Sequence, residues 1–185
     1  GKTKAYAGLF VEQNGFASAN AANYARKQEG QGVSWQKLPG HGRTGDAVTT
    51  FPVTHQPLTT GNDLPWLEYD FINYTRTDSI VAHLHFSPTL NFMHLPTGMQ
   101  FEVSIDGSSP TLVSLNADDN INRTWEKWVA NNCIVKQIKL PVSTGEKLTL
   151  RYRPVHAGMV LQHLVLDFGG LKPTYLEPHA THFLK

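Results

Sequence analysis

Residues 80–86 read IVAHLHF, and this stretch decides the fold class of the chain. Apolar residues recur at every second position, with histidines among the residues between them, which is the period of a strand with one buried face. The apolar positions are Ile80, Ala82, Leu84 and Phe86. The same alternation recurs at residues 101–105 and 148–152. These segments predict half-buried β-strands.

Further segments of strand length lie between turn-forming residues. They are residues 67–74, 111–115, 134–140 and 159–168. The turn formers include Asp106-Gly107, Pro141 and Thr144-Gly145. A doubly wound α/β fold would need crossover helices, and the sequence between residues 67 and 115 leaves room only for turns. We therefore predict an all-β fold, a two-layer antiparallel jelly-roll β-sandwich.

Two parts of the chain depart from this pattern. Apolar residues spaced at i, i+4, i+7 and i+8 have the period of a one-sided helix and predict one short helix. They are Ile121, Trp125, Trp128 and Val129. Residues 1–60 have few alternating runs, and we predict that they wrap the sandwich as long N-terminal loops. No repeat or linker divides the chain, so residues 1–185 are predicted to form a single domain.

The composition excludes several functional classes. Of the 185 residues, 40% are hydrophobic and 17% are charged, and the formal net charge is +1 at pH 7. This balance does not create the basic field that nucleic acid or an anionic membrane surface requires. No apolar run reaches the roughly 18 residues of a membrane helix. The lone Cys133 excludes an intramolecular disulfide and a cysteine-based zinc site.

No pattern of an intrinsic catalytic site is present in the sequence. It contains no GxSxG nucleophile elbow, no GxxxxGK phosphate loop and no GxGxxG dinucleotide motif. His83 and His85 share one face of a strand and could begin a metal site, but a third ligand is not evident. The alternative is a polar strand face that loops cover. We predict no catalytic residues.

Aromatic side chains give a better argument for ligand binding. Sugar rings stack on Trp and Tyr, while their hydroxyl groups bond to polar side chains. The candidates are Trp35, Trp66, Trp125, Trp128 and Tyr175. The two tryptophans of the predicted helix are interpreted as core anchors. Trp35 and Trp66 lie in loop-like sequence, where each either stacks on a sugar or closes the end of the sandwich.

Arg43 is a further candidate for ligand binding. It lies in the glycine-rich stretch GHGRTG at residues 40–45, where the backbone can bend tightly and approach a partner. Its guanidinium could fork onto the carboxylate of a uronic acid. The alternative is an internal ion pair with Asp46 or Asp70.

Two acidic residues could form a metal site. Glu12 lies at the end of the first predicted strand and Asp167 near the end of the last, and the first and last strands of a sandwich often pair. With backbone carbonyl groups, the two carboxylates would make an oxygen-lined calcium site. The alternative is two separate, solvated acids.

Five blocks of sequence carry a resemblance to a known family. They are GVSW at 32–35, GRTGDAVTTFPVT at 42–54, SPTLNF at 87–92, VSIDGSSP at 103–110 and GMVLQHLVLDFGGLKPTYL at 158–176. In order and spacing the chain resembles the C-terminal domain of glycoside hydrolase family 115, the xylan alpha-1,2-glucuronidases, over almost its whole length.

This resemblance implies a β-sandwich appended to a larger enzyme, whose catalytic centre lies in upstream domains of the same polypeptide. It also implies similarity to galactose-binding-like carbohydrate-binding modules, in which acids of the first and last strands hold a structural calcium. Glu12 matches one acid of the first-strand motif, and the second acid of that motif is absent. Calcium, with Glu12 and Asp167 as ligands, is the one cofactor that the resemblance implies.

The function implied is that of a non-catalytic accessory domain of a xylan alpha-1,2-glucuronidase, supporting the enzyme's architecture or its substrate cleft. The alternative is a carbohydrate-binding module for xylan or its uronic acid branches, with Trp35, Arg43, Trp66 and Tyr175 as contacts. A homodimer is left open by the sequence. A polysaccharide substrate implies an extracellular or periplasmic protein, whose signal peptide would lie upstream of residue 1.

Overall fold

A computed structural model describes most of the chain, and it is built almost entirely from β-strands. The described residues are 9–11, 15–40, 46–52, 57–58, 64–74, 77–87, 98–115, 124–129, 133–142 and 147–169. The strands in these residues are β1 (Leu9–Val11), β2 (Phe16–Asn20), β3 (Arg26–Gln28), β4 (Ser34–Leu38), β5 (Ala47–Phe51), β6 (Trp66–Ile72), β7 (Ser79–Phe86), β8 (Gln100–Ile105), β9 (Thr111–Ser114), β10 (Thr124–Val129), β11 (Cys133–Pro141), β12 (Lys147–Pro154) and β13 (Leu161–Asp167). A 3-10 helix, Ala21–Asn23, follows β2.

The first of two sheets has six strands. Its main path runs β1-β6-β12-β8-β9, and β3 pairs with the beginning of β6 on the edge that β1 occupies further along. Within this sheet, β1 pairs with β6 in parallel, whereas the other described pairings are antiparallel. The predicted antiparallel sandwich is therefore confirmed, with one short parallel pair added at its edge.

The second sheet has seven strands, and the last described strand lies in its interior. Its main path runs β10-β11-β7-β13-β5-β4, and β2 also pairs with β13. One edge of β13 bonds to β7, and the other is shared by β2 and the end of β5. These pairings are antiparallel, so the seven-stranded sheet agrees with the prediction throughout.

Apolar side chains on the facing sides of the two sheets form the core. Alternation directs Leu67, Tyr69 and Phe71 of β6 inward, where all three are fully buried. Phe86 of the seven-stranded sheet packs on Phe101 of the six-stranded sheet, with ring centroids 4.9 Å apart. Burying each side chain of this size contributes about 1.5–3 kcal/mol of hydrophobic stabilisation. The period-two pattern in the sequence is thus the cause of the two-layer architecture.

The predicted helix across Ile121 to Val129 is wrong. Residues Thr124–Val129 form β10, which pairs with β11 from Thr124 opposite Ile138 to Val129 opposite Cys133. A ladder of backbone hydrogen bonds to a neighbouring strand outweighs the weak local preference of the segment for a helix. Ile121 itself lies outside the described residues.

The N-terminal part of the chain contributes more to the sheets than the predicted long loops. Five strands, β1 to β5, begin before residue 52. They are only three to five residues long, and the few alternating runs in this part of the sequence, at residues 6–11 and 47–51, overlap only β1 and β5. In β2 the inward residues are the small Ala17 and Ala19, both fully buried, and small residues give a weak hydrophobic signal.

The outward faces of the two sheets differ. On the seven-stranded sheet the outward residues Val135, His85, His163 and Val165 are buried. The six-stranded sheet instead presents charged side chains to solvent, such as Arg151, which is 44% exposed. The described part of the chain contains no helix with the length and apolar character needed to cross a membrane. Because its side chains are polar and exposed, the outward face of the six-stranded sheet is the first place to look for a ligand site.

Candidate functional site

Trp66 lies on the outward face of the six-stranded sheet. Because the alternate residues of β6 are buried in the core, Trp66, Glu68 and Asp70 point away from it. Among the outward positions of the described strands in this sheet, Trp66 is the aromatic residue, and it is half-buried. This indole therefore lies at the surface of the sheet and not inside the core.

Arg151 of β12 lies over the indole of Trp66. Its Cζ atom is 4.5 Å from the ring centroid, which is a cation–π contact. The same guanidinium donates from Nε and Nη2 to Oε2 of Glu68, at 3.1 and 2.9 Å. The other carboxylate oxygen of Glu68 accepts a hydrogen bond from Nε of Arg26 at 2.8 Å. Glu68 therefore holds two arginines beside the tryptophan.

Asp70 is the next outward residue of β6 after Glu68, and it also accepts several hydrogen bonds. Nη1 and Nη2 of Arg26 donate to its two carboxylate oxygens at 2.9 and 2.6 Å, and the Thr149 hydroxyl donates at 2.8 Å. Burial by itself would raise the pKa of Asp70, but the hydrogen bonds from Arg26 and Thr149 outweigh it, and the pKa lies below its usual value. Hydrogen bonds to Asp70 and Glu68 raise the pKa of Arg26. Asp70 and Arg26 are therefore both charged at neutral pH.

We call Trp66, Arg151, Glu68 and Arg26 the Trp66 surface. Its two arginine side chains are 46% and 44% exposed, so their remaining N–H groups are accessible to a ligand. An indole offers an apolar ring, guanidinium groups offer donors and a carboxylate offers acceptors. Because the positive charges already have acidic partners, this combination suits a hydroxyl-rich ligand better than a simple anion.

Trp35 lies in a different environment. Its side chain is only 8% exposed, and its ring packs against Tyr152 with centroids 6.1 Å apart. The indole N–H donates to the carbonyl oxygen of Gln28 at 2.9 Å. A sugar ring cannot reach a tryptophan that is packed in this way, so the position of Trp35 does not support the predicted stacking role. It closes the core, as the alternative interpretation stated.

Arg43, Tyr175 and Glu12 lie outside the described residues, and their roles stay predictions. The two internal partners considered for Arg43 have other contacts. Asp70 is paired with Arg26, and Oδ1 of Asp46 accepts a hydrogen bond from the Gly40 amide at 3.3 Å.

Asp167 is the one proposed calcium ligand that the structure describes. It ends β13, and its Oδ1 accepts the Gly169 amide at 2.7 Å. Among the described strands, the first does not pair with the last, since β1 pairs with β6 in the other sheet and β13 pairs with β2, β5 and β7. One described carboxylate is too few for a calcium site, which needs six to eight oxygen ligands. Calcium binding stays a prediction.

Three histidines lie on the outward face of the seven-stranded sheet. His85 and His163 are opposite each other on β7 and β13, with ring centroids 5.7 Å apart, and His83 follows on the same face. Burial lowers the pKa of His83, and that of His163 to about 4. Among the described residues, no group of three His, Cys, Asp or Glu side chains is placed to hold a metal ion. Burial therefore favours the neutral form of His83 and of His163.

Arg26, Glu68 and Arg151 were not predicted from the sequence. Charged residues at alternate positions in 66–70 and 147–153 do indicate outward strand positions. What the sequence does not contain is the register that places Arg151 opposite Glu68 and Arg26 opposite the same residue. That register follows from the strand order of the whole sheet.

The fold is a β-sandwich similar to those of carbohydrate-binding modules. The C-terminal CBM6 of LamC, a laminarinase of Zobellia galactanivorans, is similar with 14% identity and a TM-score of 0.54, over 82% of this chain and 98% of that one. The CBM6cm-2 module of Cellvibrio mixtus lichenase 5A, in complex with cellotriose, is similar with 12% identity and a TM-score of 0.52, over 82% and 95%. At these identities the likeness establishes the fold.

The sequence identifies the family. The model of the glycosyl hydrolase family 115 C-terminal domain matches residues 9–180, and the chain belongs to this family. A family GH115 4-O-methyl-alpha-glucuronidase with specificity for decorated arabinogalactans, BtGH115A, is structurally similar with 19% identity and a TM-score of 0.59. The match covers 84% of this chain and 18% of that protein, so the chain spans about a fifth of its length. Among curated proteins, none matches the sequence significantly.

Proposed function

We propose that this chain is a non-catalytic accessory domain of an alpha-glucuronidase that removes glucuronic acid branches from glucuronoxylan. The observation that carries the proposal is the family match over residues 9–180, together with the small share of the glucuronidase that the chain covers. The catalytic domains would lie upstream in the same polypeptide, and the complete enzyme would be extracellular or periplasmic. The domain would support the architecture of the enzyme or its substrate cleft.

A second role is favoured by the geometry of the Trp66 surface. We infer that this surface binds the polysaccharide directly, with a pyranose ring on Trp66 and its hydroxyl groups hydrogen-bonded to Arg151 and Glu68. The half-buried indole and the exposed arginine beside it support this role. Such a shallow site desolvates few groups, so its Kd should lie between about 10 μM and 1 mM.

Isothermal titration tests the binding role. The 185-residue chain is titrated with glucuronoxylan oligosaccharides and with decorated arabinogalactan, in calcium and in chelator, because calcium at Glu12 and Asp167 is part of the proposal. We expect saturable heat with one of the polysaccharides and a loss of at least about fivefold in affinity for Trp66→Ala, since stacking contributes about 1 kcal/mol or more.

Tyr74→Ala is the matched control, because Tyr74 is 71% exposed and follows the far end of the same strand as Trp66. It should bind as the unchanged chain does. Equal affinity of the Trp66→Ala variant would contradict a site at Trp66. Absence of saturable heat with both polysaccharides would contradict the binding role and favour the architectural one.

A further inference from the structure

A cleft separate from the Trp66 surface is lined by residues of both sheets. Its volume is about 340 Å³, and the described residues that line it are Ser79, Thr111, Lys139 and Pro141. Thr111 begins β9 at the edge of the six-stranded sheet, while Ser79 and Pro141 pair with each other in the seven-stranded sheet. The strands β12 and β8 separate β9 from β6, which bears Trp66. The cleft is therefore a distinct place in the fold.

The volume of the cleft is sufficient for a small molecule. It lies near the lower end of the roughly 300–1,000 Å³ range of small-molecule sites. Lys139 and Pro141 are exposed and Ser79 and Thr111 half-buried, so the cleft is open to solvent. A ligand no larger than one or two sugar rings fits such a space.

The polar groups of the cleft are available for a ligand. Lys139 forms no ion pair with any described residue, and the Ser79 and Thr111 hydroxyl groups have no hydrogen-bond partner among the described side chains. This contrasts with the Trp66 surface, where Arg151 and Arg26 each have an acidic partner. None of the described lining residues is acidic, so the charge of Lys139 has no acidic partner in the described part of the cleft wall.

Each described lining group can contact a particular kind of chemical group on a ligand. An ammonium group donates three hydrogen bonds and attracts a carboxylate, and a hydroxyl group both donates and accepts. The ring of Pro141 offers an apolar surface for C–H groups. A neutral sugar would leave the charge of Lys139 unused, and a simple carboxylate would leave both hydroxyl groups unused.

We propose that this cleft binds a small organic anion that also carries hydroxyl groups, a sugar acid. Its carboxylate would contact Nζ of Lys139, and its hydroxyl groups would contact Ser79 and Thr111. The inference does not depend on sugar binding at Trp66, because the two sites share no residue. Few groups are desolvated, so the Kd should be about 0.1–10 mM.

Amide chemical shifts of the 15N-labelled 185-residue chain test the proposal. Sodium D-glucuronate should shift the amides of Ser79, Thr111 and Lys139 saturably. D-glucose, which lacks the carboxylate, and sodium acetate, which lacks the hydroxyl groups, should each bind at least about fivefold more weakly, as expected when one charged or two neutral hydrogen bonds are lost.

Two variants locate the site. Lys139→Gln should weaken glucuronate binding at least about fivefold, and Thr111→Val, which replaces the hydroxyl with a methyl group of the same size, should weaken it about threefold. Lys37→Gln is the matched control, because Lys37 is an exposed lysine on the distant strand β4 and should not alter binding. Melting curves establish that all three variants are folded.

Several outcomes would overturn the proposal. Acetate binding as tightly as glucuronate would mean simple anion attraction, and glucose doing so would mean that Lys139 plays no part. An equal loss in Lys37→Gln would indicate a nonspecific charge effect. Loss of the glucuronate shifts in Trp66→Ala would move the ligand to the Trp66 surface.

Discussion

Burial determines the protonation of His163 on the outward face of the seven-stranded sheet. The side chain is 8% exposed, and burial lowers its pKa from an ordinary 6.5 to about 4. The imidazole is therefore neutral in the folded chain throughout the physiological range. Below pH 6.5 the unfolded chain takes up a proton that the folded chain does not, so the free energy of unfolding decreases as the pH falls toward 4.

We expect the free energy of unfolding to decrease by up to about 3 kcal/mol through His163, since each pKa unit corresponds to about 1.4 kcal/mol. The variant His163→Gln lacks the titrating imidazole, so its free energy of unfolding should depend less on pH between pH 6.5 and 4. Urea denaturation at a series of pH values measures it. Ser18→Ala, at a fully buried and non-titrating position on the same face, is the control and should keep the slope. An unchanged slope in His163→Gln would assign the pH dependence to other groups.

Trp35 and Trp66 show what a single residue's sequence context can and cannot predict. Both lie in short stretches without clear periodicity, so the local sequence does not distinguish a buried from an exposed position for either residue. In the fold they differ, because Trp35 points from β4 toward Tyr152 and Trp66 points from β6 to solvent. The face on which each side chain lies depends on strand pairings far along the chain. The sequence could therefore predict that a tryptophan would form a stacking site, but it could not predict which tryptophan is exposed.

At the scale of elements, the turn that follows β8 at Asp106-Gly107 is the part that the sequence predicts best. Asp106 and Gly107 have φ angles of 48° and 73°, and the Ser108 amide donates to the Ile105 carbonyl at 2.9 Å. Positive φ at both central residues is the geometry of the tight two-residue turn that Asp-Gly favours. Two residues were enough for this prediction because the whole motif is local.

Gly107→Ala should destabilise the chain by about 1 kcal/mol. A Cβ atom added at Gly107 meets no atom within 4 Å, so the cost is that of the left-handed backbone and not of a clash. Denaturant unfolding measures the difference. Ser109→Ala, an exposed neighbour in the same loop, should change the stability by less than about 0.5 kcal/mol. A Gly107→Ala variant as stable as the unchanged chain would contradict the strained-turn interpretation.

Two other elements could be predicted only in part. The pattern of β10 favoured a helix, because Trp125 and Trp128 are three residues apart, and only its pairing with β11 makes it a strand. In β11 the length of the segment between turn formers correctly predicted a strand, yet the inward position opposite Leu84 is occupied by Lys136, which is fully buried. Long-range pairing decides both cases, and a local pattern does not contain it.

At the scale of the whole molecule, the chain belongs to the glycosyl hydrolase family 115 C-terminal domains and has the two-sheet fold predicted from its sequence. The fold class could be predicted because alternating residues report burial locally, and the family could be predicted because its blocks span nearly the whole chain. The Trp66 surface could not, because it joins residues from β3, β6 and β12 that are up to 125 positions apart in the sequence, from 26 to 151.

The isolated chain should release no 4-O-methylglucuronate from glucuronoxylan. The reason is that the family match assigns it to the domain at the C-terminal end of the enzymes, and the chain covers only 18% of the related glucuronidase. Chromatography of the products after long incubation measures any release. BtGH115A assayed on decorated arabinogalactan is the positive control. Product formed by the isolated chain would place an active site within this domain.

The interior position of β13 also governs when the chain can fold during its synthesis. Both edges of β13 are bonded, one to β7 and the other to β2 and β5, yet it is the last described strand to leave the ribosome. Until Asp167 has emerged, β7 and β2 have open edges toward the missing strand. Open strand edges are sites of association between chains. We therefore expect a nascent chain to depend on β13 for protection against aggregation, and truncation before residue 161 to yield insoluble protein.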